Sequence, residues 1–227
     1  MSDSTALGTA REILGGDVVG LEELRDGFGA VEGLTAERAN SVPFSVAELR
    51  GAKERGEILI LRAARCNGEP LTLQWLINRF STAFDRSLLR KMGYQLKDDW
   101  GIELEPLATT AVCRSQWALV QRVILEPTRN LSYDEQDEEL ERYAQQRGAS
   151  GKLRRRTAIE IAFDTLAVYH ARGERLLADT WDWSATRTLD GGYLNLGRFT
   201  DQGMQVLSYS RAIRHGRLGV CPTRDPD

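Results

Sequence analysis

The stretch that most limits what this chain can become is its tail, Thr180 to Arg224, which reads TWDWSATRTLDGGYLNLGRFTDQGMQVLSYSRAIRHGRLGVCPTR. Its short runs alternate with a period of two. In Tyr193-Leu194-Asn195-Leu196 the leucines fall on one face of a strand and Tyr193 and Asn195 on the other. Between Met204 and Tyr209, Met204 and Val206 share a face opposite Gln205, Leu207 and Tyr209. Gly191-Gly192 and Asp201-Gln202-Gly203 supply the turns. The pattern predicts a compact antiparallel sheet with one apolar face and one face carrying Tyr, Asn, Gln, Leu and Arg. No catalytic constellation falls within it, and the second face reads as a surface for contact.

A chain of 227 residues allows one large domain, or a domain with an appendage, and either buries a proper core. The net charge of -3 offers no global field to recruit nucleic acid or an anionic membrane. No apolar run approaches the ~20 residues of a membrane span. The opening MSDSTALGTAREILGG has no basic segment leading into an apolar one, so no secretory signal is visible and a cytoplasmic protein is expected. Cys66, Cys113 and Cys221 are odd in number and far apart, which fits reduced, buried thiols. Two histidines and three scattered cysteines offer no zinc spacing, and neither metal nor cofactor is expected.

In chain order, residues 1–42 read as an N-terminal helical extension with amphipathic pieces around Ala6–Leu14 and Val19–Phe28, packed on or loosely tethered to the body. Residues 43–227 form the main domain. Ser45 with Glu48 is a capping box that opens a helix ending near Gly56. Glu57–Arg62 is an apolar strand of the kind buried in a sheet. Pro70-Leu71-Thr72 starts a helix carrying Leu73, Leu76, Ile77 and Phe80 at helical spacing. From Ser87 to Thr110 no period is clear, and Trp100, Ile102 and Leu104 suit a strand or packed loop. Gln116 to Leu125 is a second strong strand. Ser132 with Glu135 opens an acidic helix to about Gln146, and the 148–152 loop reads as the most flexible in the chain. Thr157 with Glu160 opens a helix to about Gly173, with Ile161, Leu166, Val168 and Tyr169 facing inward. Helices and strands are segregated rather than alternating, which predicts an α+β fold.

Three segments in this order resemble the formylglycine-generating-enzyme-like superfamily, whose fold is C-type-lectin-like. Arg154-Arg155-Arg156-Thr157-Ala158-Ile159-Glu160 is similar to its R-x-P-T-x-x-E helix opening, without the proline. Trp181-Asp182-Trp183-Ser184-Ala185-Thr186 is similar to its W-x-W-S-S-T strand, and Gly219-Val220-Cys221-Pro222-Thr223-Arg224 to its last strand. The spacing of Gly192, Gly197-x-Phe199 and Gly203 before that ending most resembles the variable proteins of diversity-generating retroelements. In those, a C-type-lectin-like domain ends in a segment mutagenised by an error-prone reverse transcriptase. The resemblance implies an antiparallel β-rich C-terminal half, a last strand pairing Leu218–Cys221 with Glu57–Arg62, and a variable region over about 186–217. It also implies a macromolecular ligand, a protein rather than nucleic acid, and allows display on a cell or phage surface.

Under this reading Leu194, Leu196, Phe199, Met204 and Val206 hold the core while their neighbours change. The expected ligand contacts are Tyr193, Asn195, Arg198, Thr200, Gln205, Leu207, Tyr209, Arg211, Arg214 and His215. Tyrosine gives rigid contact area, and Arg and Asn give adaptable hydrogen bonds. Trp181 and Trp183, two apart on one strand, are expected in the core. Arg154 to Arg156 read as a solvated helix start whose charge, opposed to the helix dipole, asks for an acidic neighbour. His170 suits the last turn of its helix as a cation. The alternative on this fold, an oxygen-using oxidoreductase, needs a close cysteine pair or a histidine set with a carboxylate. Calcium-dependent sugar binding needs a carboxylate cluster that Glu126-Pro127-Thr128 matches poorly. No catalytic residue is therefore assigned.

Overall fold

The computed structural model describes residues 4–81, 95–96, 105–148, 153–201 and 203–226. The expectations for Trp100, Ile102 and Leu104, for 149–152 and for Gln202 lie outside the described residues. Five longer strands and two long helices organise the rest: β1 (Glu57–Arg62), β2 (Gln116–Gln121), α1 (Tyr133–Gln146), α2 (Ala158–Arg172), β3 (Trp181–Arg187), β4 (Tyr193–Thr200) and β5 (Gly203–Tyr209). The elements are segregated as an α+β fold.

Every residue of β1 is buried, as its unbroken apolar run demands. It pairs antiparallel with β2, from Glu57 opposite Gln121 to Arg62 opposite Gln116, and its other edge takes Val18–Val19 in parallel. Thr223–Arg224 lies on the far side of β2, and Leu153–Arg154 beyond that. In the second sheet the order is Leu218–Gly219, β3, β4, β5 and Gln95–Leu96. Both edges of β1 are thus filled, and the implied pairing with Leu218–Cys221 is not made. Leu218–Gly219 runs parallel to β3 instead. Pro222 then carries the chain across, its carbonyl accepting from the Gln121 amide at 3.0 Å, so that the end of the chain meets β2. The strand expected over Gln116 to Leu125 stops at Gln121. Beyond it the Leu125 amide bonds the Val220 carbonyl at 2.9 Å and Glu126–Thr128 forms a 3-10 turn.

All three helix starts form as the sequence predicts. Glu48 accepts from the Ser45 amide at 2.8 Å, Glu135 from Ser132 at 2.8 Å and Glu160 from Thr157 at 2.8 Å. Helix α2 ends at Gly173, left-handed with φ 70°, where only glycine sits without a Cβ penalty. The sequence suggests one inward face for α2, yet it is buried on all sides from Ala158 to Val168. It packs on β1 on one side, on β3 and β4 on another, and on the helix Leu21–Phe28. That helix and Leu7–Leu14 are packed on the body rather than tethered: Leu14, Val19, Leu24 and Phe28 share the core of β1 and α2. Phe28 stacks on Phe163, with centroids 5.1 Å apart. His170 stacks on Phe80 at 4.4 Å, and partial burial of its ring, with Arg79 adding its charge, pushes its pKa down. Both effects oppose the cation expected at this helix end. All three thiols are buried and unpaired.

An ionic network ties the two sheets through α2. Arg62, fully buried at the end of β1, donates to both oxygens of Asp164 at 2.9 and 2.7 Å, to Glu160 at 2.9 Å and to Thr223 at 3.1 Å. Arg156 donates to Asp164 and to Asp182, each at 3.0 Å, and Asp182 also accepts from the Cys221 amide at 2.8 Å. Arg154 holds Glu160 and Asp225, and Arg155 holds Asp137. The arginine triplet is therefore no solvated helix start, since Arg155 and Arg156 are buried. The acidic neighbours that its charge called for are all present. Burial alone would raise Glu160, but bonds from Arg154 and the charge of Arg62 hold its pKa at about 2.

Candidate functional site

Strands β3, β4 and β5 have two faces. Leu194, Leu196, Met204 and Val206 enter the main core, as their alternation predicts, and Phe199 joins them because the register shifts between Gly197 and Thr200. The register sets the opposite face in rows: Trp183, Asn195 and Leu207 in one, Trp181, Gly197 and Gln205 in the next, and Arg187, Tyr193 and Tyr209 in a third. A second, smaller core forms on this outer face from Tyr133, Trp181, Trp183, Leu207 and Leu218, with Tyr193 and Tyr209 packed at its margin.

Tyr133, the first residue of α1, lies over the rows. Its ring stacks on Tyr193 at 4.1 Å and meets Trp183 edge-on at 5.2 Å. The Arg155 guanidinium sits 4.0 Å from the Tyr133 centroid and donates to the Trp183 carbonyl at 3.0 Å. Burial pushes the Tyr133 phenol up to about 12, so it stays a neutral donor, to the Ser184 carbonyl at 3.3 Å.

Beside Tyr133 runs the loop Ser210 to Arg217, eight consecutive exposed residues joining β5 to Leu218–Gly219. It carries Arg211, Arg214, His215 and Arg217 and no acidic residue. Its backbone is fastened at four points: the Tyr133 amide donates to the Arg211 carbonyl at 2.9 Å, the Asn130 amide to the His215 carbonyl at 3.3 Å, the Arg129 guanidinium to the Gly216 carbonyl at 3.1 Å and the Trp181 amide to the Arg217 carbonyl at 2.8 Å. Arg211 pairs with Asp134 and Arg214 with Glu135, both in exposed positions. Bonds from the Ser132 hydroxyl and amide, then Arg214, hold Glu135 at about 2. The His215 ring meets Trp181 edge-on at 5.4 Å.

Of the ten expected contacts, Tyr193, Arg198, Gln205, Tyr209, Arg211, Arg214 and His215 reach the surface on this face or its loop. Two do not. Asn195 is fully buried and Leu207 is 8% exposed, because the smaller core covers the middle of the outer face. Thr200 lies at the far end of the β4–β5 hairpin, opposite Gly203. Arg198 sits in a bulge with φ 46°, left-handed and strained for a residue with a Cβ. Its amide donates to the Thr180 carbonyl at 2.7 Å and its guanidinium lies 5.9 Å from the Trp181 centroid. Gly197 precedes it because a Cβ there would fall 2.1 Å from the Thr180 carbonyl oxygen.

The covered rows hold an anomaly. Neither the Asn195 carbonyl oxygen nor its amide nitrogen has a hydrogen-bond partner, and the same holds for the indole nitrogens of Trp181 and Trp183. All belong to one face and to neighbouring rows. Buried polar groups are ordinarily bonded, so a cluster of unpartnered ones marks a place with unfilled recognition capacity. The sequence concealed this, as Trp181 and Trp183 read as core and nothing local reveals that Tyr133 comes to lie over them. A further cleft of about 770 Å³ has Tyr133 in its lining with Arg114, Asp137, Arg154, Arg155 and Glu160. None of the ten expected residues reaches it. No family model matches the chain, and neither does a curated protein or a solved structure. No helix among the described residues is long and apolar enough to cross a membrane.

Proposed function

We propose that this is a binding protein whose outer β3–β5 face and 210–217 loop recognise a macromolecular ligand, a protein, and that this surface is the part diversified by a retroelement. The observation that carries the reading is the loop itself. Eight exposed residues reach the rings of Trp181, Tyr133 and Tyr193 through His215 and Arg211, while the residues that fix the sheet point the other way. Rigid aromatic residues beside adaptable polar ones are the composition of binding surfaces built for varied targets. The mechanism is contact rather than bond making.

The test immobilises the full chain and selects binders from a displayed random-peptide library. Binders lost on Tyr209→Ala and Arg211→Ala variants, with thermal midpoints unchanged, support the reading, and binders indifferent to both refute it. Diversification is tested in the DNA flanking the gene. A near-copy of the codons for Thr186 to Arg224, differing mainly at adenines and close to a reverse-transcriptase gene, is expected. Finding neither leaves a binder of fixed specificity.

A further inference from the structure

Resting on that reading, the unpartnered groups define what the site takes. We infer that the 210–217 loop and the Tyr133 ring to which it is tied together form the movable wall of the site, and that the site admits an acidic polypeptide segment whose carboxylates meet the loop arginines and whose carbonyl groups meet Asn195, Trp181 and Trp183. Three observations converge.

The first is the donor balance. Two indole N–H groups and a carboxamide NH2 face a single unpartnered acceptor, the Asn195 carbonyl oxygen. A ligand rich in acceptors satisfies such a set, and a peptide backbone also offers the one N–H that the Asn195 oxygen needs. The second is charge. The loop holds three arginines and a histidine without an acid, and Arg198 adds a further exposed cation beside Trp181. Two of these arginines make exposed ion pairs, to Asp134 and Glu135, which an incoming carboxylate can replace like for like, and Arg211 also lies 5.7 and 5.9 Å from the Tyr133 and Tyr193 rings. The third is the fastening. The loop meets the covered rows through His215 on Trp181 and through Arg211, 5.7 Å from the Tyr133 ring, and it is held by bonds to four of its carbonyls and by those ion pairs, with none of its own side chains buried. Such a segment opens at the low end of a protein's stability range.

The neighbouring helix decides between polyanions. Helix α1 carries Asp134 and Glu135 against the loop, with Asp137, Glu138, Glu139 and Glu141 following along the same helix. A nucleic-acid backbone, with charge at every step, meets this helix wherever it leaves the arginines. A protein segment places its carboxylates at the loop alone.

The same peptide selection tests this, with sequencing of the enriched peptides. Affinities are then measured on the full chain, on Asn195→Leu and on Arg211→Ala/Arg214→Ala, and the indole N–H resonances are followed by 15N NMR. The expected result is enrichment in Asp and Glu, a loss of about tenfold or more in either variant, and downfield shifts of the Trp181 and Trp183 indoles. Should Asn195→Leu fail to fold, the indole shifts in the unaltered chain carry that arm. Peptides without acidic bias that still lose binding on Tyr209→Ala overturn this inference and leave the binding surface standing. Peptides indifferent to every variant overturn both. A DNA duplex that moves the two indole resonances at lower concentration than the peptides also overturns it, and puts nucleic acid in the site.

Discussion

Replacing Asp164 by Asn tests the claim that buried charge joins the two sheets. Asp164 is fully buried and accepts from Arg62 at 2.9 and 2.7 Å and from Arg156 at 3.0 Å. The substitution keeps shape and removes the charge that two guanidiniums share. At an effective dielectric constant of about 20, each contact at about 4 Å between charge centres is worth roughly 4 kcal/mol. Against this stands the relief of no longer burying the Asp164 charge. Arg62 also keeps Glu160 and Arg156 keeps Asp182, so neither cation is stranded. The net lies at the lower end of what breaking a buried pair costs, about 3–4 kcal/mol. For a chain of this size that lowers the melting temperature by about 10 °C.

Calorimetry and urea titration read it directly, with the urea midpoint falling and the slope unchanged. Asp134→Asn is the control. It breaks the exposed pair with Arg211, where less than about 1 kcal/mol is expected. If Asp164→Asn costs no more than this control, the network is incidental and hydrophobic burial alone holds the sheets to α2.

Gly197→Ala places a Cβ 2.1 Å from the Thr180 oxygen and 2.7 Å from the Trp181 Cα, so β3 and β4 must part. Melting should fall by several degrees, and a variant as stable as the parent refutes the bulge geometry. Leu196→Ala, on the core face of β4, should cost about 2–5 kcal/mol and spare any ligand contact, as urea unfolding and peptide binding would together reveal. Glu160, held at about 2 against an ordinary value of 4.5, contributes stability that is complete above the unfolded carboxyl's range. That stability drains as pH falls from about 4.5 toward 2, and amounts to roughly 3 kcal/mol at neutrality. Urea midpoints across that range should fall steeply for the parent and less for Glu160→Gln, and parallel curves would refute it.

How far the sequence could be read depended on the range of the forces involved. Capping at Ser45, Ser132 and Thr157 is decided within four residues, and all three helices begin where the sequence places them. Period-two alternation sorted Leu194, Leu196, Met204 and Val206 from Asn195 and Leu207 correctly, because register fixes the face. What lies over a face is another matter. Asn195 and Leu207 were expected at the surface and are covered, since Tyr133, some sixty positions earlier, folds onto them. The arginine triplet misled for the same reason: Asp225, Asp137 and Asp182, which pair with Arg154, Arg155 and Arg156, are brought near only by the fold. Sequence patterning gives a strand its two sides, while the partner of each side is a long-range fact.

A surface proposed to vary must be decoupled from what keeps the chain folded, and the two cores divide in the required way. The main core and the Arg62–Asp164–Arg156 network lie on the inner side of β3 and β4, where Leu194, Leu196 and Asp182 point. The outer side holds a small aromatic core and a loop whose side chains are all exposed. Substitutions from Ser210 to Arg217 therefore remove exposed contacts, and changes of this kind usually stay within about 0.5 kcal/mol. Asn195 is the exception that links the sides. It lies between neighbours in β4 that the main core fixes, and its carboxamide meets no partner, so the fold has no evident use for that polar group. An apolar residue of equal size would serve stability at least as well. A polar residue at this position is accounted for by what it can bind once the loop and the Tyr133 ring move aside.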